Sequence, residues 1–127
     1  MGLQRGGGRQ QTVLVVEDDA AAREMYRSAL AQDGYRVIAV EDGLDALRSV
    51  EAGRPHAIVL DLMLPCISGY DVYNDLRAAP ATRAIPVVIV TGSEVRNLES
   101  NAMRYFLRKP FRPEDLVETV SAAIRGR

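Results

Sequence analysis

One cysteine, one histidine and one lysine occur in 127 residues, and each scarcity closes off a class of chemistry. With Cys66 alone there is no intrachain disulfide and no cysteine zinc site, which fits a reducing compartment. His56 is equally isolated and stands just before an apolar run, where it reads as a structural or surface residue rather than a ligand or base. No apolar stretch approaches the roughly 18 residues of a membrane span, and the amino terminus lacks the apolar core of a signal peptide. The expectation is a cytoplasmic protein with no membrane partner. Nor is there an excess of one charge: 17 acidic against 16 basic side chains leave a net charge of -1. That balance gives no whole-chain reason to expect an anionic partner, so no direct nucleic-acid contact is expected.

The single lysine is informative by its place. All the other basic side chains are arginine, yet Lys109 stands after the apolar run Tyr105 to Leu107 and before Pro110. An ammonium is a compact point charge on a flexible stem, whereas guanidinium is a wide planar fork, so the two are not equivalent in a tight site. Three other apolar runs end on groups of related use. Val13 to Val16 leads into Glu17, Asp18 and Asp19; Ala57 to Leu60 into Asp61; and Val87 to Val90 into Thr91. Short continuous runs rich in Val and Ile, separated by helical patterns, are the signature of parallel strands buried on both faces. In an open parallel sheet the ligand site lies beyond the carboxyl ends of the strands. Carboxylates, a hydroxyl and an ammonium would then meet on one edge.

The rest of the chain supports one α/β domain, as its length suggests. Residues 1–11, with Gly2, Gly6, Gly7 and Gly8, have no apolar period and read as a flexible tail, leaving 12–127 as the folded domain. Asp19 is placed to cap a first helix carrying Ala22, Met25, Tyr26, Ala29 and Leu30 and ending at Gly34. Tyr35 to Val40 reads as a second strand, and Asp42 as the cap of a helix with Leu44, Leu47 and Val50. A third helix runs through Tyr70, Val72, Tyr73 and Leu76, and a last one opens at Pro113 and carries Leu116, Val117, Val120 and Ile124. Residues 93–102 offer only Val95, Leu98 and Ala102 as a stripe, so a fourth helix there would be short or irregular. The fifth strand is expected from about Arg104 to Leu107. Five strands alternating with five helices imply right-handed crossovers and a parallel sheet covered on both faces.

Clustered carboxylates oppose one another's ionisation, and a hard divalent cation with oxygen ligands relieves this. Phosphoryl transfer asks mainly for positioning and for charge stabilisation, and an Asp carboxylate can accept the group as an aspartyl phosphate. Asp61 suits that role, with Mg²⁺, Lys109 and Thr91 supplying charge and hydrogen bonding.

The segments VLVVEDDAAAR, AIVLDLMLPCISGYDV, VVIVTG and YFLRKPF, in this order and spacing, resemble the receiver domain of two-component response regulators. The resemblance spans about residues 12–125 and implies a flavodoxin-like (βα)5 fold, a doubly wound parallel five-stranded sheet of order 2-1-3-4-5. It implies that Asp61 is the phosphoacceptor and that Glu17 and Asp18 form the acidic pair. Asp18 would bind Mg²⁺ directly and Glu17 through water, with the Met63 backbone carbonyl as a further ligand. Thr91 and Lys109 would contact the phosphoryl group, and Phe106 would be the switch aromatic that moves with Thr91. A cis peptide before Pro110 is implied as well. The implied partners are a histidine kinase or histidine phosphotransfer protein and a downstream protein target, for a monomer or weak dimer that is a signalling switch rather than an enzyme. Departures fall on the output side: Thr91 to Lys109 is a few residues short, Gly92 replaces a frequent Ala, and Arg112 and Pro113 follow the KPF segment.

Two other functions compete. A phosphatase of the haloacid-dehalogenase type also uses a strand-end Asp with Mg²⁺, but it needs a second Asp two residues on, where Met63 stands. A receiver-like module that binds partners without phosphorylation would not require the filled set of Glu17, Asp18, Asp61, Thr91 and Lys109.

Overall fold

The computed structural model describes residues 10–92 and 104–126. Its elements run β1 (Thr12–Val16), α1 (Ala20–Gln32), β2 (Arg36–Val40), α2 (Gly43–Ala52), β3 (Ala57–Asp61), α3 (Gly69–Ala78), β4 (Val87–Thr91), β5 (Phe106–Arg108) and α4 (Pro113–Arg125). The helix expected over 93–102 and nearly all of the expected tail lie outside the described residues. The strands form one sheet in the order β2-β1-β3-β4-β5, and every pairing is parallel. The expected flavodoxin-like topology is therefore present.

Alternation along the strands divides the core into two layers. Val13, Val15, Ala57, Val59, Val88 and Val90 face Tyr26 and Leu30 of α1 and Leu116, Val120 and Ala123 of α4. Leu14, Val16, Ile58, Leu60 and Ile89 point the other way, onto Ala46 and Val50 of α2 and Val72, Tyr73 and Leu76 of α3. Successive side chains of a strand point to opposite faces, so an unbroken apolar run is required where both faces are covered. His56 is the structural residue expected: its Nδ1 accepts the Thr12 N–H at 3.0 Å, and its own N–H donates to the Thr12 carbonyl at 2.8 Å. It fastens the start of β3 to the start of β1.

The expected glycine stop of α1 is present, and three other local expectations are corrected. α1 runs to Gln32, and Gly34, with a φ of 97°, closes it in the left-handed region. The N–H groups of Gly34 and Tyr35 donate to the carbonyls of Ala31 and Leu30, the paired arrangement that satisfies the last free carbonyls of a helix. Met25 of the expected α1 stripe is 41% exposed, because Tyr26 and Leu30, one turn apart, define the buried face. In α2 the apolar stripe is shifted: Gly43 and Ala46 are buried while Leu44 is 47% exposed. A Cβ on Gly43 would lie 2.7 Å from Cγ2 of Val72, so the close approach of α2 to α3 admits only small residues in the seam. β5 starts at Phe106, paired with Ile89, and reaches Arg108, two residues later than expected at its start.

Candidate functional site

β1 delivers Glu17 and Asp18 to the carboxyl edge of the sheet, β3 delivers Asp61, β4 delivers Thr91, and the residue after β5 is Lys109. The adjacency of β1, β3 and β4 makes the meeting possible, since strand ends in the same direction stand side by side. Lys109 Nζ donates to Glu17 Oε1 at 2.7 Å and to Asp61 Oδ2 at 2.8 Å. One ammonium thus bridges two carboxylates that are 48 and 92 residues away in sequence. Both carboxylates are buried, Glu17 at 1% and Asp61 at 3% exposure.

The remaining oxygens are held by backbone. The Met63 N–H donates to Asp61 Oδ1 at 2.9 Å, and the Asp19 N–H donates to Glu17 Oε2 at 3.1 Å. Asp19 itself caps α1, its side chain accepting the Ala22 N–H at 2.8 Å, as its position after β1 suggests. Thr91 is fully buried, and its carbonyl accepts the Lys109 N–H at 3.0 Å, which ties the lysine segment to the end of β4. The Lys109–Pro110 peptide is cis. Phe106 is half-buried against the α2/α3 layer, with the Arg108 guanidinium 5.9 Å from its ring centroid. Met63 is 57% exposed. Its N–H, rather than its carbonyl, is what is seen in contact with the site.

Burial pushes the Glu17 carboxyl up to about 7, against the opposing pull of the Lys109 hydrogen bond and the Asp19 N–H; the charge of Asp61 adds to the rise. For Lys109, burial acts to lower the ammonium, but its hydrogen bonds to Asp61 and Glu17 prevail and hold it above the ordinary lysine value. Burial likewise pushes the Tyr26 phenol up to about 12, so this ring is neutral beside the cluster. Tyr26 stacks on Phe111 with centroids 5.4 Å apart, packing α1 against the segment that carries Lys109.

Glu17, Asp18 and Asp61 offer carboxylate oxygens within 4.8 Å of one another. Asp18 is the exposed member, on the solvent side of the two buried ones. The donor set is all hard oxygen, and three carboxylates facing one ammonium leave negative charge uncompensated. That chemistry fits a hard divalent cation.

Two features of the site were not evident in the sequence. Arg23 reaches back from α1, its Nη1 donating to the carbonyls of Glu17 at 2.9 Å and Asp18 at 3.3 Å. The same guanidinium faces Glu41 across the β2 end at 3.8 Å, so it clamps the acidic loop from outside. Its signal was available as a basic residue one turn into a helix that follows an acidic strand end. Gly69 is the second. A Cβ there would lie 2.3 Å from the Asp61 carbonyl oxygen and 2.5 Å from Leu62 Cα, so only glycine lets α3 start directly beneath the end of β3.

A five-stranded parallel sheet with acids at the ends of β1 and β3, and an ammonium after β5 bridging them, defines a class of signalling domain whose work is done on one sheet edge. The chain belongs to the response regulator receiver domain family, whose sequence profile matches residues 13–121. It is 40% identical over 121 residues to the DNA-binding response regulator MtrA of Mycolicibacterium paratuberculosis, covering 91% of this chain and 52% of that protein. To the response regulator MprA of Mycobacterium ulcerans it is 36% identical over 118 residues, covering 89% of this chain and 50% of that protein. The chain therefore spans about half the length of the curated relatives it matches. Among solved structures it resembles the receiver domain of the sensor histidine kinase PA1611 of Pseudomonas aeruginosa PAO1, which holds a magnesium ion in its active-site cleft. That match has 30% identity and a TM-score of 0.82, and covers 92% of this chain and 99% of that one. The chemotaxis response regulator CheY4 of Vibrio cholerae matches at 26% identity and a TM-score of 0.80, over 91% and 99% of the two chains.

These relatives overturn the expectation of no direct nucleic-acid partner, because MtrA is a DNA-binding response regulator. The expectation rested on charge summed over 127 residues, and that sum says nothing about the half of MtrA that this chain does not match. No described helix is long and apolar enough to cross a membrane.

Proposed function

We propose that this receiver domain is a phosphorylation-controlled switch in which Asp61 accepts a phosphoryl group from a histidine kinase or histidine phosphotransfer protein of the cytoplasm. The observation that carries the reading is the double hydrogen bond of Lys109 Nζ to Glu17 Oε1 and Asp61 Oδ2. The only lysine of the chain, a movable point charge, is thereby bonded to the carboxylate that this reading makes the acceptor. In the transfer, an oxygen of Asp61 forms a bond to phosphorus as the bond to the donor histidine nitrogen breaks, and the imidazole leaves with its electron pair. The Met63 N–H fixes Oδ1, so the carboxylate is oriented before the donor arrives. Lys109 can follow the charge from the carboxylate to the phosphoryl oxygens without a change of partner segment, and the buried Thr91 stands at the neighbouring strand end.

Mg²⁺ would be held by Asp18 and Asp61, with Glu17 acting through water and the Met63 carbonyl as a further ligand. When bound it supplies positive charge for the equatorial phosphoryl oxygens. The chain's own residues orient the acceptor, exclude bulk water from its buried side and move one ammonium. Thr91 and Phe106 lie on adjacent strands β4 and β5, which suits them to pass a change at Asp61 to the surface around β5, where a protein target would read it.

Incubation with a small-molecule phosphodonor and Mg²⁺, followed by intact-mass measurement, tests the reading. One phosphoryl group is expected on the wild type and none on Asp61→Asn. A wild-type protein that never gains the group, under conditions in which another receiver does, would favour a module that binds partners unphosphorylated.

A further inference from the structure

At the opposite, amino-terminal edge of the sheet lies a cavity of about 250 Å³ that the reading above does not use. Arg77 from the end of α3, Arg83 from the loop before β4 and Arg104 from the segment before β5 all line it. Its floor is apolar and partly aromatic, with Tyr73, Ile85 and Tyr105 among the lining residues. Elsewhere Arg23, Arg27, Arg48 and Arg112 each face a carboxylate. Among the described residues none of the three cavity arginines does, and no acidic residue lines the cavity. Arg77 donates to the Arg83 carbonyl at 3.2 Å, and the Arg104 guanidinium sits 5.1 Å from the Tyr105 ring centroid. Among the described residues, neither contact engages all the N–H donors of its fork.

The carboxyl ends of α3 and α4 point toward this edge and offset part of the charge. A helix terminus is worth about half an elementary charge, so two ends offset about one of the three positive charges. About two remain, which is the charge of a phosphate monoester near neutral pH. Guanidinium forks match phosphate oxygens in pairs, and three arginines from separate elements line this one cavity. The space is just below the roughly 300 to 1,000 Å³ of a site for a drug-sized ligand, so it admits a phosphate or diphosphate group with an organic remainder at the mouth.

We infer that this cavity is a binding site for a small phosphate-bearing molecule, held by Arg77, Arg83 and Arg104 on the edge remote from Asp61. The inference does not depend on phosphorylation of Asp61, and it is tested without Mg²⁺ so that the acidic edge repels the probe.

The experiment is a titration of the full chain with pyrophosphate, and separately with AMP, at fixed ionic strength, following amide and arginine Nε–H signals by NMR. Acetate serves as the monoanion control. Saturable shifts centred on Arg83, Arg104 and Tyr105 are expected with at least one phosphate probe and not with acetate. Tighter binding of AMP would show that the organic part is also recognised; tighter binding of pyrophosphate would show recognition of phosphate alone. The Arg83→Gln/Arg104→Gln double variant removes no side-chain hydrogen bond among the described residues and should weaken binding at least tenfold. An Arg36→Gln/Arg54→Gln variant makes the same charge change at another cavity and should leave binding within twofold. Absence of saturation with both phosphate probes, or equal weakening in the two double variants, would overturn the site.

Discussion

The two edges of one sheet carry opposite chemistry. At the carboxyl edge Glu17 and Asp61 share a single ammonium with Asp18 beside them, and at the amino edge three arginines line a cavity that has no carboxylate among the described residues. β4 runs between them from Val87 to Thr91, a span of about 13 Å at the rise of a strand. The acidic edge is dense and internally bonded: both buried carboxylates have each oxygen engaged by Lys109 or a backbone N–H. The basic edge is open, and among the described residues its donors are only partly used. A site with its charges already paired can respond to a new ligand only by exchanging partners, which is the behaviour of a switch. A site with spare donors can respond by simple binding.

The most complete break in that comparison is removal of the acceptor. Asp61→Asn keeps the shape and hydrogen-bonding capacity of the side chain but loses its charge, and all phosphoryl uptake should disappear by intact mass. Removal of the ammonium comes next. Lys109→Ala leaves Glu17 and Asp61 buried without their bridging charge, and breaking such a pair costs about 3 kcal/mol. Urea unfolding at pH 8 without metal should show most of that loss. At pH 5, where Glu17 can take up a proton instead, the loss should be smaller.

The pH dependence of the wild type sharpens the same point. Glu17 is pushed up to about 7 in the fold from 4.5, so between these values the folded protein binds more protons than the unfolded chain. Stability without metal should therefore be greatest near pH 5 and fall as the pH rises through 7. A shift of this size is worth on the order of 3 kcal/mol at most. Mg²⁺ should reverse the trend above pH 7, because binding to the native state adds stability. Melts of the wild type and of Asp18→Ala, with and without Mg²⁺, measure it, and the variant should show the smaller gain.

The smallest effect expected concerns water at the acidic edge. Met63 is apolar and 57% exposed beside the acceptor, and it offers no group to orient an attacking water. Phosphorylated protein should lose its group slowly. Met63→Asn should speed the loss severalfold, about 1 kcal/mol in barrier, as followed by the decay of the phosphorylated mass.

Much of this architecture was legible before the structure. The runs from Val13, Ala57 and Val87 specify buried strands because each residue of such a run must meet a covered face. Asp19 and Asp42 specify helix starts because a short carboxylate bonds the free N–H groups two or three residues on. These signals depend only on residues a few positions apart, so they survive being read in isolation. The identities of Glu17, Asp18, Asp61, Thr91 and Lys109 belong to the same kind of reading, since each follows a strand and the ends of parallel strands share an edge.

What tertiary structure alone decided is who meets whom. The sequence leaves Lys109 as an ammonium near three carboxylates; packing selects Glu17 and Asp61 as its partners and leaves Asp18 toward solvent. The α2 stripe turned from Leu44 to Gly43 and Ala46 because the distance between α2 and α3, not helical period, sets how large a side chain the seam admits. Arg23 became a clamp on the acidic loop, and Arg77, Arg83 and Arg104 became one cluster, only after crossovers brought separate segments together. Local patterns fix the elements because their causes lie within one or two turns of chain. Charge constellations depend on strand order and helix packing, which no window along the sequence contains.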